Sequence, residues 1–105
     1  MITVSDNDSA NELVRKLGGG DFQAGAAIVN AFCQERSYTS THLGREFLAS
    51  DPTDDNYTSA SDCCRLLSEI YNSSLVNADA SAEMLALLTS QTKTAKIPAG
   101  VPSGT

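Results

Sequence analysis

Ser5-Asp6-Asn7 is the first place in this 105-residue chain where residue types and spacing allow chemistry. A hydroxyl, a carboxylate and an amide stand directly before a helical pattern. The free N–H groups and the dipole at a helix start favour anions. The same three residue types are also good helix caps, and alone the motif needs no other role. Other signals are weaker. His42 is the single histidine and sits in a polar segment, so a Ser-His-Asp triad is not expected. Asp51, Asp54, Asp55 and Asn56 carry oxygens suited to Ca²⁺. They lack the EF-hand spacing and its final glutamate, and a solvated loop is expected. Cys33, Cys63 and Cys64 form no Cys-x-x-Cys, and one histidine cannot complete a Cys/His zinc site. No metal and no cofactor are therefore expected. Adjacent Cys63 and Cys64 point apart on a helix. A bridge from Cys33 to either stays open, and buried thiols are the expectation.

The elements that must position these residues read as short helices. The first covers about residues 8–17, where Ala10, Leu13, Val14 and Leu17 make one apolar stripe. Asn7 or Asp8 is expected to cap it, with Ser9-x-x-Glu12 as a capping box, and Gly18-Gly19-Gly20 to stop it. The second runs over 22–35, with Phe22, Ala26, Val29 and Cys33 on one stripe. Its small residues suggest a central helix packed on three sides. A short helix or turn is expected at 40–45, then an irregular stretch to Tyr57. The fourth starts from Thr58 or Ser59, carries Cys63, Leu66, Leu67, Ile70 and Tyr71, and ends at Asn72-Ser73-Ser74. The fifth, about 80–91, stacks Met84, Leu85, Leu87 and Leu88 and starts from Asp79 or Ser81. Residues 93–105 read as an extended connector. Two prolines and two glycines in the last ten residues argue against any helix there. No stretch alternates well enough for a sheet. The expected fold is all-α, a compact bundle of about five short helices in a single domain.

Composition narrows the partners. Seven basic residues against 13 acidic ones give −6, a surface that repels phosphate, so nucleic acid and anionic membrane surfaces are disfavoured. No apolar run approaches the roughly 18 residues of a membrane span. The N-terminus shows no signal-peptide pattern.

The ordered set of motifs resembles one family. Ser5-Asp6-Asn7-x-x-Ala10-Asn11, with Leu13 and Gly18-Gly19, resembles the Ser-Asp-Asn element of the class A β-lactamases and penicillin-binding serine hydrolases. Asn30-Ala31-Phe32, then Thr41, Leu43 and Arg45, resembles the next segment. Asn56-Tyr57-Thr58-Ser59-Ala60-x-Asp62 with Leu66-Leu67 resembles the helix after the family's omega loop. Met84-Leu85-x-Leu87-Leu88-x-x-Gln91, followed by Lys96-Ile97-Pro98-Ala99-Gly100-Val101-Pro102, resembles the stretch leading into its sheet.

The resemblance implies roles. Ser5 would relay a proton toward the leaving nitrogen and help hold the substrate carboxylate. Asn7 would donate to the acylamide of the substrate. Asp6 would be structural. Asn11 would brace the active-site wall and, in true class A lactamases, the deacylating glutamate. Departures matter as much. No Ser-x-x-Lys precedes Ser5, and no Lys-Thr-Gly follows the Ile97-Pro98 connector. Ser90-Gln91-Thr92-Lys93 and Lys93-Thr94-Ala95 approximate those motifs in the wrong order, and solvated helix-end residues are expected there. The omega-loop signature Arg-x-Glu-x-x-Leu-Asn is also unmatched at Arg45-Glu46-Phe47-Leu48. Glu46 is a weak substitute for the missing base.

The expectation is thus the helical domain of a β-lactamase-like fold, with the sheet absent. Its intact parent would act outside the cytoplasmic membrane on β-lactams or D-Ala-D-Ala peptides. The 105 residues alone would be catalytically silent, and bare apolar faces would favour a homodimer. The rival is a non-catalytic module that takes a partner helix between the second and fourth segments, or binds peptidoglycan.

Overall fold

The computed structural model describes residues 1–49 and 54–102. Asp51 and Pro52, and the tail residues 103–105, lie outside the described residues. The described chain is all-α, as expected. Its helices are α1 (Asn7–Leu17), α2 (Phe22–Glu35), α3 (Ala60–Tyr71), α4 (Ala78–Thr89) and a single turn, α5 (Ile97–Gly100). No strand forms among the described residues, and the one β-type pairing is an isolated antiparallel bridge between His42 and Tyr57.

Helix starts follow side-chain capping, with small corrections to the expected bounds. Asp6, not Asn7 or Asp8, caps α1 by accepting from the Ser9 N–H. Ser9 is therefore occupied, and its hydroxyl also donates to Asp6. Glu12 turns to Arg15 at 3.2 Å, so no capping box closes. Ser59 caps α3, as expected. Asn77 caps α4 by accepting from Ala80 N–H at 2.7 Å, which starts that helix earlier than Asp79 or Ser81 would. The expectation of no helix in the tail is corrected at α5. Pro98 sits in the first turn, where its missing N–H leaves no bond unmade.

The helices associate as two pairs, α1 with α2 and α3 with α4. Gly25 sets the first pairing. A Cβ there would stand 1.8 Å from the Val14 carbonyl oxygen, so only glycine admits this crossing. Phe22, Ala26 and Cys33 of α2 are buried, with Tyr38, Ile70 and Leu75. Burial raises the Cys33 thiol pKa, and the Asp62 carboxylate adds to the shift. Cys63 and Cys64 are exposed and all three thiols are free.

The expectation that α2 would be a hub packed on three sides is not met. Among the helices, its backbone comes close only to α1. Polar ties join the two pairs instead. Arg36 pairs with Glu69 at 2.9 Å. Arg65 donates to the carbonyls of Ser37 and Arg36 at 2.8 and 3.0 Å, and lies over the Tyr38 ring. Buried Asp62 accepts from Ser40 N–H at 2.9 Å and from the Thr41 hydroxyl at 2.7 Å.

Of the short helix or turn expected at 40–45, no helix forms; the chain turns at 39–40 and bends at 45. Side chains already satisfy that backbone. Asn30 accepts from Leu43 N–H at 2.8 Å and donates to its carbonyl at 2.9 Å. Asn56 accepts from the N–H groups of Gly44 and Arg45, and donates to the Arg45 carbonyl. A peptide unit held this way gains nothing from a helical turn.

Candidate functional site

The site begins in the six residues before α1. Asp6 N–H donates to the Met1 carbonyl at 3.1 Å, which curls the chain start into a turn. Ser5 sits inside that turn at φ 57°, a left-handed conformation that few non-glycine residues adopt. Ser37, Leu48, Ser73 and Val76 share this conformation, so it does not single out Ser5. Asp6 acts as the cap described above. The Ser9 hydroxyl, above all, holds its carboxyl below the usual range.

Ser5 opens onto a cleft of about 800 Å³. The opposite wall is the chain between α4 and α5, including Gln91, Thr92, Lys93, Thr94 and Lys96. One carbonyl fastens the two walls. Thr3 accepts from Thr92 N–H at 2.8 Å and from the Thr92 hydroxyl at 3.1 Å. Asn7 is the first residue of α1 and is exposed. It does not line this cleft.

Asn11 lies one turn further along α1 and is buried. Its side chain accepts from Phe47 N–H at 2.8 Å and donates to the Phe47 carbonyl at 3.3 Å. Glu46, beside it, bonds to the Arg15 guanidinium. That carboxylate raises the Arg15 pKa. Arg45 binds Asp55 at 2.9 Å. The Asn56 N–H, then Arg45, hold the Asp55 carboxyl below its usual range. His42 stacks on Tyr57, with ring centroids 5.3 Å apart, and pairs with Asp54 through Nε2. The segment 41–47 is thus pinned from three directions by Asn11, Asn30 and Asn56. An apolar groove of about 750 Å³ runs beside it, lined by Leu13 and Val14 of α1, Val29 of α2, Phe47, Tyr57 and Leu66 of α3.

No group of three or more metal-ligating side chains gathers among the described residues. No helix is long and apolar enough to cross a membrane. Asn11 is tied to the Phe47 backbone by both of its amide atoms. Sequence reasoning missed the loop-holding roles of Asn30 and Asn56, because an amide gripping a distant peptide leaves no local pattern. Lys93, expected as a solvated helix-end residue, is exposed just beyond α4.

A profile of the β-lactamase enzyme family matches residues 1–105, the whole chain. The chain belongs to the β-lactamase enzyme family. No curated protein and no solved structure matches it significantly. Membership makes this a β-lactamase-like serine hydrolase sequence.

Proposed function

We propose that residues 1–105 form the helical wall of a serine hydrolase that is acylated by β-lactams or D-Ala-D-Ala peptides and releases the acyl group slowly. Ser5 relays a proton to the leaving nitrogen and contacts the substrate carboxylate. Asn7 donates to the substrate acylamide. Asp6 and Asn11 hold the wall in shape. The observation that carries the slow-release half of this reading is the Asn11–Phe47 contact. In lactamases resembling this chain, the matching asparagine braces a deacylating glutamate. Here the braced residue is a phenylalanine, and neighbouring Glu46 is bound to Arg15. Without a carboxylate to activate water, an acyl-enzyme persists.

The 105 residues contain neither a Ser-x-x-Lys before Ser5 nor a Lys-Thr-Gly after the connector. They bind but do not turn over. The parent acts outside the cytoplasmic membrane, where these substrates are found. Intact-mass spectrometry of the natural full-length product with benzylpenicillin tests this. One long-lived adduct per chain is expected. A rapidly lost adduct with drug consumed would mean a lactamase, and no adduct on a folded protein would sink the enzyme reading. In that case a non-catalytic module using the apolar groove becomes the better account.

A further inference from the structure

We infer that the joint between the two helix pairs is a polar latch, which opens locally ahead of unfolding and sets the width of the apolar groove between them. The inference is independent of the acyl-transfer reading above.

The two pairs meet without a helix of one laying its backbone on a helix of the other. The joint is built at the end of α2. That helix closes in a Schellman turn, with Ser37 at φ 62° and the Tyr38 N–H on the Cys33 carbonyl at 2.8 Å. Arg65 of α3 caps the turn from outside, by donating to the carbonyls of Arg36 and Ser37. The negative end of the α2 dipole favours a cation there. Arg36 reaches back to Glu69, one turn beyond Arg65 on α3. Each guanidinium also lies over a ring, Arg36 over Phe32 at 5.4 Å and Arg65 over Tyr38 at 5.1 Å. Asp62 adds its bonds to Ser40 and Thr41.

This joint holds less firmly than its number of bonds suggests. Arg36 and Glu69 are partly exposed, and ion pairs in contact with water contribute little. Tyr38 is buried, yet its hydroxyl makes no hydrogen bond among the described residues. A buried hydroxyl without a partner destabilises the closed joint relative to one that water can enter. Burial, and then the Glu69 carboxylate, push the Tyr38 phenol pKa up, so ionisation offers no relief. Regions held this way open at a lower free energy than the whole fold. The groove feels the movement. Leu13, Val14 and Val29 line it from the first pair and Leu66 from the second, so a change of angle between the pairs is a change in its width.

Thiol trapping tests the latch. Cys63 and Cys64 are exposed, while Cys33 is buried at the joint, close enough for the Asp62 carboxylate to raise its pKa. The 105-residue chain is mixed with the neutral disulfide 4,4′-dithiodipyridine. Each thiolate attacks the S–S bond and releases one pyridinethione, which is followed by absorbance. Two thiols should react at once and the third slowly. The slow rate, taken relative to the fast ones, should rise about threefold with added sodium chloride, which screens the ion pairs. Low urea should raise it with only a small part of the slope of global unfolding. Glu69→Gln leaves Arg36 and Arg65 without their carboxylate, and should raise the slow rate about tenfold and remove most of its salt dependence. The variant should also brighten N-phenyl-1-naphthylamine, a probe of apolar surfaces, more than wild type does.

Three wild-type results would each overturn the inference, even where the variant fails to fold. They are a third thiol as fast as the first two, a slow rate indifferent to salt, and a urea slope equal to that of global unfolding. An unchanged slow rate in folded Glu69→Gln overturns it as well, and equal probe fluorescence overturns the link to the groove.

Discussion

Asn11 holds Phe47 by both backbone groups, across 36 residues of chain. The amide acts as a short piece of β-ladder supplied by a helix. Asn11 is only 5% exposed, whereas Phe47 is 38% exposed, so water reaches the loop side of the contact. Asn11→Ala should destabilise the fold by about 1–2 kcal/mol, because two bonds disappear and hydration of the Phe47 groups replaces them only in part. Urea denaturation measures this. A change within about 0.5 kcal/mol would show that the loop finds other partners.

The same contact makes a functional prediction. Phe47→Glu puts a carboxylate at the position Asn11 braces. In the full-length hydrolase this should shorten the lifetime of a penicillin adduct and leave the acylation rate nearly unchanged. Paired time courses by intact mass separate the two steps. An adduct as persistent as in the wild type would show that the missing base is not what limits release.

Gly25 gives a packing prediction. Its substitution by alanine would place Cβ 1.8 Å from the Val14 carbonyl, and backbone cannot swing aside as a side chain can. Gly25→Ala should part α1 from α2 and destabilise the protein by roughly 1–3 kcal/mol, despite the better helix propensity of alanine. Thermal melting followed by circular dichroism tests it. A raised melting temperature would mean that the two helices are not so close.

Much of this was legible in the sequence, and the rest was hidden for physical reasons. Local signals carried furthest. The 3.6-residue stripes located α1 to α4, and Ser59 announced the start of α3. Capping was blurred where good caps stand side by side. Asp6 outcompetes Asn7 because its carboxylate takes both the N–H and the hydroxyl of Ser9. The run Asn77 to Ser81 posed the same choice. Long-range polar ties were invisible. Nothing near Asn30 or Asn56 says that each grips a backbone more than ten residues away. Those grips also explain why 40–45 is not helical. Composition suggested that α2 would be a hub, yet Arg36, Arg65 and Asp62 join the pairs by polar contacts that the apolar pattern does not encode.

The capping of α1 should titrate. The folded-state pKa of Asp6 is depressed, first by the Ser9 hydroxyl. A depressed carboxyl contributes stability that is complete above its unfolded value of about 3.9 and is lost as pH falls through the folded value. The start of α1, which carries the Ser5 turn, should fray in that acid window and not above it. Amide shifts of Asn7 to Ser9 followed from pH 6 downward give the midpoint. Asp6→Asn keeps a cap without this carboxyl, so the acid fraying of α1 should be reduced in the variant. A midpoint at or above the unfolded value would remove the Ser9 contact from the account.

Self-association is the last expectation, and the exposed apolar surface motivates it. Leu13 and Leu17 share one side of α1 and are 51% and 54% exposed. Leu13 lines the groove together with Val29, Phe47 and Leu66. A monomer rarely leaves a contiguous apolar face of this kind in water. A second copy can cover it through a two-fold contact in which each groove meets the other. Sedimentation velocity should then show a mass that rises with concentration in the micromolar range. Leu13→Glu with Leu17→Glu should hold the chain as a monomer without unfolding it, since neither side chain belongs to the buried core. A wild-type chain that stays monomeric at all concentrations would refute the dimer, leaving the groove open in solution or filled by another segment of a longer protein.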